Sequence, residues 1–264
     1  MYTLQACPAE ALSTIVSELY PLYKEEVCMK CIRIVFVIGV LAGMTLATTG
    51  CSWDFNNPAA DEYDVQIVGD SVFDLSGDIH TVLRSLSGKS YKDRSVSGAK
   101  ISAIQSQLNT ALGRTTLKTV IADGGANDIL QGSMDCDADP LTQGCLDVLD
   151  YIGDKMEVMI NAMYSKSPND CAWLGYYHVK GSEIEKNEAI DYAYDWIYPG
   201  IFPDYFSTWP AVFIGSDYKA LLIDSRPYIQ PAHIKSDDIH PTYDGSVILA
   251  NLIWDAMVDG SMYR

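Results

Sequence analysis

Val65-Gln66-Ile67-Val68-Gly69-Asp70-Ser71 joins a short run of branched aliphatics to a glycine, an acid and a hydroxyl, and its reading decides the fold. The run predicts a buried strand, Gly69 permits a tight turn after it, and a helix is expected to start just past Ser71. The same unit recurs along the chain. Asp78 to Leu86 predicts a helix and Ser90 to Val96 a second strand, after which Ile101, Ile104, Leu108 and Leu112 repeat at helical spacing. Thr119 to Ala122 predicts a third strand running into Gly124. Leu146, Leu149, Ile152, Met156, Met159, Ile160 and Met163 then mark a long amphipathic helix. Ala172 to Val179, Lys219 to Asp224 and Gly245 to Met257 complete the series as two strands and a closing helix. Strands alternating with helices predict an α/β three-layer α/β/α sandwich around a central parallel sheet of about five strands, with right-handed crossovers.

Open parallel sheets place their sites beyond the carboxyl ends of the strands. Ser71, Gly98 and Gly124-Gly125-Ala126-Asn127-Asp128 follow predicted strands, and Asp237-Asp238-Ile239-His240 lies in the last loop. A serine hydroxyl is a poor nucleophile at neutral pH, so chemistry at Ser71 needs a base and a group that orients the base. His240 and Asp237 suit those roles, because residues three apart share one side of a turn. Asp238 is the alternative neighbour of His240. Each residue alone also fits a plainer role: Ser71 as a helix cap, Gly98 as a turn glycine, Asn127 and Asp128 as capping residues, and Asp70 as a turn or cap acceptor. Their order along one chain favours the joint reading. His80, His178 and His233 lack this context and are expected to be packing or surface residues.

Gly69-Asp70-Ser71, isolated Gly98, Gly125-x-Asn127-Asp128 and Asp237-x-x-His240 resemble the four sequence blocks of the SGNH, or GDSL-type, hydrolase family. The resemblance covers Tyr63 to Met257, and His240-Pro241-Thr242-Tyr243-Asp244-Gly245 is similar to the family's final block. Val72 departs from it, where leucine is usual. The resemblance implies a flavodoxin-like fold and a serine esterase or lipase that cleaves a carboxylic ester through an acyl-enzyme. It assigns Ser71, Asp237 and His240 as the triad, and the Ser71 and Gly98 amides with the Asn127 side chain as the oxyanion hole. No cofactor or metal is implied, and the partner is a small-molecule ester, either a lipid or an acetylated sugar. The alternative is a surface lipoprotein of the same fold that binds a ligand without hydrolysing it. No Gly-x-Gly-x-x-Gly or Walker loop follows the first strand, which argues against a nucleotide-binding domain.

The chain of 264 residues divides by composition. Residues 29–51 read as an export leader: the basic segment Met29-Lys30-Cys31-Ile32-Arg33, an apolar run from Ile34 to Leu46, and Gly50-Cys51. Gly50-Cys51 resembles a lipoprotein processing site, which would acylate Cys51 and anchor an exported protein at a membrane facing the periplasm or cell exterior. Ordinary signal cleavage and an uncleaved anchor are the alternatives. Residues 1–28 carry four glutamates against one lysine, the wrong charge for the start of an export signal. Translation is therefore expected to begin at Met29, with an amphipathic helix built on Leu12, Ile15 and Leu19 as the other reading. Residues 52–62 read as a linker and 63–264 as the hydrolase domain. From residue 52 onward 15 basic residues face 31 acidic ones, a net charge of −16. Nucleic acid is therefore not expected as a partner, since it requires clustered Lys and Arg.

Past the leader and Cys51 the cysteines are Cys136, Cys145 and Cys171. Cys136 and Cys145 bound a short polar loop and are expected to form a disulfide in an oxidising compartment, with Cys171 a buried thiol. Cys136 with Cys171 is the other pairing. The acids Asp135, Asp137 and Asp139 do not make a calcium loop, because Pro140 and Leu146 stand where its glycine and bidentate glutamate belong. Between the fourth and fifth strands lie Tyr192, Tyr194, Trp196, Tyr198, Phe202, Tyr205, Phe206 and Trp209, broken by Pro199, Pro203 and Pro210. The prolines are expected to forbid one continuous helix. The stretch is either a wall beside the nucleophile, receiving an acyl chain or stacking a sugar, or an insertion packed on itself.

Overall fold

A computed structural model describes residues 63–166, 170–202, 212–213 and 219–264. The leader, Met29, Cys51 and the linker lie outside the described residues, as do Tyr205, Phe206 and Trp209. Five parallel strands form the sheet: β1 (Val65–Val68), β2 (Lys92–Asp93), β3 (Thr119–Ala122), β4 (Asp170–Leu174) and β6 (Lys219–Ile223). A two-residue strand that the periodicity did not predict, β5 (Val212–Phe213), pairs antiparallel with β6 and completes the order β2-β1-β3-β4-β6-β5.

Every central strand is buried on both faces, which explains the near-continuous apolar runs in its sequence. The period-two alternation of side chains then sorts neighbours onto opposite faces. Ile67, Ile121 and Ala172 pack with α2 (Asp78–Ser87) and α8 (Tyr243–Asp259) through Ile79, Leu83, Leu249 and Ile253. Val68, Val120, Ala122 and Trp173 pack on the other face with α3 (Ile101–Ala111) and α5 (Gln143–Lys166) through Ile104, Leu108, Met156 and Ile160. This is the expected three-layer α/β/α sandwich.

Two expected strands are shorter than their apolar patterns. The second is expected over Ser90 to Val96, yet β2 is confined to Lys92–Asp93. Bonds from the Arg94 and Val96 amides to Ile67 and Gly69 continue the pairing, but the Asp93 carboxylate takes the Ser95 amide and hydroxyl and turns the backbone out of regular strand. The fourth stops at Leu174 rather than Val179, because its neighbour β6 ends at Ile223 and Gly175 makes the last bond, to the Ile223 carbonyl. The residues so released, Tyr176 onward, build the site.

The described part of the aromatic stretch is helical only as far as Ile201, and Pro203 and Pro210 lie outside the described residues. A 3-10 segment (Gly181–Lys186), α6 (Asn187–Tyr192), a π turn (Ala193–Ile197) and α7 (Tyr198–Ile201) follow one another without a break. Pro199 sits in the first turn of α7, where its missing N–H costs little. The π turn before it, closed by the Tyr198 amide on the Ala193 carbonyl, absorbs the mismatch. Tyr194, Tyr198 and Phe202 are buried against the α5 side of the core, so this part of the stretch is a wall of the main domain rather than a separate core.

Candidate functional site

The β1–β3 pair sets the geometry. Val68 pairs with Ala122, so the two chains leave the sheet side by side, at the point where strand order switches direction. Gly69 is required here for close approach, not for a left-handed turn: a Cβ would lie 2.0 Å from Asp123 Oδ1 and 2.7 Å from the Phe73 ring. Gln107 fixes the same residue from α3, accepting from the Gly69 amide (2.8 Å) and donating to its carbonyl (3.0 Å). The short helix α1 (Ser71–Asp74) begins at the candidate nucleophile itself, with Asp70 as its cap, accepting from the Val72 amide at 3.0 Å.

Ser71 is 9 % exposed, and its hydroxyl makes no hydrogen bond among the described residues. Among the described residues its own amide, at the first position of α1, is also unpaired. The Gly98 amide is likewise unpaired, in a loop with φ +77. Asn127 opens α4 (Ala126–Leu130), and its carboxamide donates to the Ala99 carbonyl and to Asp70 Oδ2, both at 3.2 Å. Gln131 donates to Asn127 Oδ1 at 2.7 Å and to the Gly98 carbonyl at 3.4 Å, which ties the Gly98 loop to α4. Asp128 turns away and accepts from the Ile101 amide, capping α3.

In the last loop His240 Nδ1 donates to Asp237 Oδ2 at 2.9 Å, leaving Nε2 as the ring's acceptor. Asp237 Oδ1 meanwhile accepts the Ile239 and His240 amides. Burial would raise the Asp237 carboxyl, but the amide and ring of His240 outweigh it and hold the group below the ordinary carboxylate range. Asp238 serves elsewhere: at φ +66 it accepts from the Ser182 amide and hydroxyl. Of the two acids, Asp237 is the partner of His240.

Tyr176 and Tyr177, which the sequence reading passed over, bridge the two halves. Tyr176 OH donates to Asp70 Oδ2 at 2.6 Å, on the nucleophile side. Tyr177 OH donates to the Ile239 carbonyl at 2.7 Å, on the histidine side. Lys180 adds bonds from its amide to Asp238 and from its ammonium to Ile234 and Pro231. The available signal was position, since a pair of tyrosines at the carboxyl end of a strand stands where open sheets build sites. Asp70 is thus more than a cap, because one of its oxygens receives both Tyr176 and Asn127.

Asp123 was also not anticipated. It is fully buried, accepts from the Asp70 amide at 2.9 Å, and its second oxygen has no hydrogen-bond partner. Burial, reinforced by the neighbouring Asp70 carboxylate, pushes its carboxyl well above the ordinary value of 3.8, and burial pushes Asp70 up as well. At a pH between the unfolded and the folded value, the folded protein therefore holds a proton that the unfolded chain has lost. This contribution to stability is complete below the unfolded value and disappears as pH rises through the folded one. Asp123→Asn keeps the acceptor for Asp70 and removes the proton linkage. Urea midpoints from about pH 5 to about pH 8 should fall less steeply in the variant than in the wild type; parallel curves would show that Asp123 is ionised in the fold.

These groups open onto a cleft lined by Asp70, Ser71, Asn127, Tyr176, Tyr177 and Ile239 at one end. Gly98 and His240 are not among the residues that line it. Cys136 and Cys145 are joined as a disulfide (Cα–Cα 5.1 Å) and pack with Leu149 and Ala189 behind the other end. Cys171 is a buried thiol in β4, its acidity suppressed by burial. His80 lies beside Asp93, His178 bonds Asp191, and His233 accepts from the Gln230 amide. No cluster of three or more His, Cys, Asp or Glu able to hold a metal occurs among the described residues, and no helix among them is long and apolar enough to cross a membrane.

Hydrolases are among the solved structures with this architecture. A lipase from a goat rumen metagenome aligns with TM-score 0.54 at 12% identity, covering 73% of this chain and 96% of its own. A protein assigned as an SGNH hydrolase from Slackia heliotrinireducens gives 0.52 at 12%, covering 74% and 99%. A family 3 carbohydrate esterase from Clostridium thermocellum gives 0.51 at 18%, covering 74% and 94%. The chain has the SGNH hydrolase fold. No protein-family profile matches the sequence, and no curated protein matches it. At these identities the likeness describes the fold, and the chemistry has to be argued from the site.

Proposed function

We propose that the protein is a serine hydrolase of carboxylic esters. The observation that carries this reading is the Asp237–His240 bond of 2.9 Å, which orients an imidazole beside a cleft whose end holds an unbonded serine hydroxyl at a helix start. The Ser71 hydroxyl attacks the ester carbonyl while His240 Nε2 takes its proton. Collapse of the tetrahedral intermediate expels the alcohol, which receives that proton, and leaves the acyl group on Ser71 Oγ. Water, deprotonated by His240, then releases the acid and restores the serine. The unpaired Ser71 and Gly98 amides supply oxyanion donors.

Asn127 is the third donor. Its bonds to Asp70 and Ala99 are long, and Tyr176 keeps Asp70 hydrogen-bonded when one amide proton turns to the oxyanion. Asn127→Ala should lower turnover about 100- to 1000-fold, the usual loss for one oxyanion donor. Unchanged turnover would remove Asn127 from the site. A fluorophosphonate probe tests the whole reading. It should label the wild-type protein at Ser71 and not label Ser71→Ala, whereas folded protein that takes no label would be a ligand-binding relative of the fold. The leader sequence supports export with lipid attachment at Cys51. Mass spectrometry of the mature N-terminus tests that, and an unmodified Cys51 inside an intact chain would overturn it.

A further inference from the structure

Beyond Ser71 the cleft continues as a slot between two helical layers. Ile129, Leu149 and Ile152 form one side, and Ile190, Ala193 and Ile197 the other. Apart from Asp70, Ser71 and Asn127 at the nucleophile end, the polar side chains that line it are Tyr176, Tyr177, Lys186 and Tyr198. Tyr176 donates to Asp70, Tyr177 to the Ile239 carbonyl, and the Lys186 ammonium to Asp137 and Glu183. Trp196, an aromatic suited to stacking on a sugar, is 71% exposed and takes no part in the lining.

A sugar ring in this slot would surrender the water on its hydroxyls with few groups to replace it, a net loss for each one left unpaired. A polymethylene chain would gain about fourfold in binding for every CH2 taken from water. We infer that the slot is an acyl-chain site, and that the preferred substrates are esters of linear acyl groups longer than acetyl. This rests on the ester-hydrolase reading and names its substrate class. The chain lies between α5 and the 187–201 wall with its carbonyl at Ser71, and Ile190 and Ala193 limit how much of it is held.

The test has two arms. The first measures kcat/KM for p-nitrophenyl acetate, butyrate and octanoate in the wild type, Ala193→Phe and Ile190→Trp. The second titrates cis-parinarate, a fluorescent fatty acid, into Ser71→Ala and Ser71→Ala/Ala193→Phe, where no turnover is needed. Octanoate should exceed acetate by about 100-fold, the gain expected if about three to four of its six additional CH2 groups are buried, and each bulky variant should cut that ratio by about tenfold or more. Parinarate should saturate Ser71→Ala and bind about tenfold more weakly to the double variant. Preference for acetate, a ratio that neither variant moves, or no saturable parinarate binding would each overturn the acyl site. Should a bulky variant misfold, the wild-type ester series and Ser71→Ala titration still decide. If parinarate binds as expected while no ester is cleaved, the acyl site stands and the hydrolase reading falls.

Discussion

Ser71→Ala should lose ester turnover on the order of 10^6-fold while keeping its melting temperature within about 1 °C of wild type. The two halves of this expectation have separate causes. The hydroxyl is the acyl acceptor, so without it no acyl-enzyme forms, and His240 with the oxyanion donors can only promote direct attack by water. The same hydroxyl makes no hydrogen bond among the described residues, while the helix cap is supplied by Asp70. Removing it therefore leaves no buried partner unsatisfied, and the loss of an unbonded hydroxyl costs little. Side-by-side kinetics and thermal melts check both halves. Activity within tenfold of wild type would place the nucleophile elsewhere, and a large drop in melting temperature would make Ser71 a structural residue.

Asp237→Asn should reduce kcat about 10^3- to 10^4-fold with KM nearly unchanged. Asp237 Oδ1 holds two backbone amides and Oδ2 receives His240 Nδ1–H. An asparagine that keeps its oxygen on the amides presents NH2 to the ring. Nδ1 must then become the acceptor, which moves the imidazole proton to Nε2, the nitrogen that has to accept from serine. The binding surface is untouched, so the loss falls on turnover. In the wild type the depressed Asp237 carboxyl stays ionised, so it is available to accept Nδ1–H wherever the imidazole is neutral. A variant that hydrolyses esters at more than about a tenth of the wild-type rate would show that Asp237 does not orient the base.

Much of the fold was legible in the residues. Val65–Val68 and Thr119–Ala122 match their predicted strands residue for residue, since a strand buried on both faces shows as a near-continuous apolar run. The long helix is equally plain from its spaced Leu, Ile and Met. Where expectation failed, something outside the local pattern intervened. The Asp93 side chain competes for backbone amides at β2, and β4 stops for want of a neighbour beyond Ile223.

The sequence by itself determined the alternation of strands and helices, and the four short motifs whose order points to ester hydrolysis. These are local in origin: periodicity reflects burial of a single element, and each motif is a few adjacent residues. Only the tertiary structure decided what depends on distant groups meeting. It chose Asp237 over Asp238 as the partner of His240, because the backbone turn sends Asp238 toward Ser182. It made Gly69 a matter of space beside Asp123, 54 residues away in the chain. It also brought Tyr176 and Tyr177 across to the two sides of the site, and laid the aromatic wall against α5 to shape the cleft. Sequence spacing does not encode such contacts, since they follow from strand register and from which helix covers which face of the sheet.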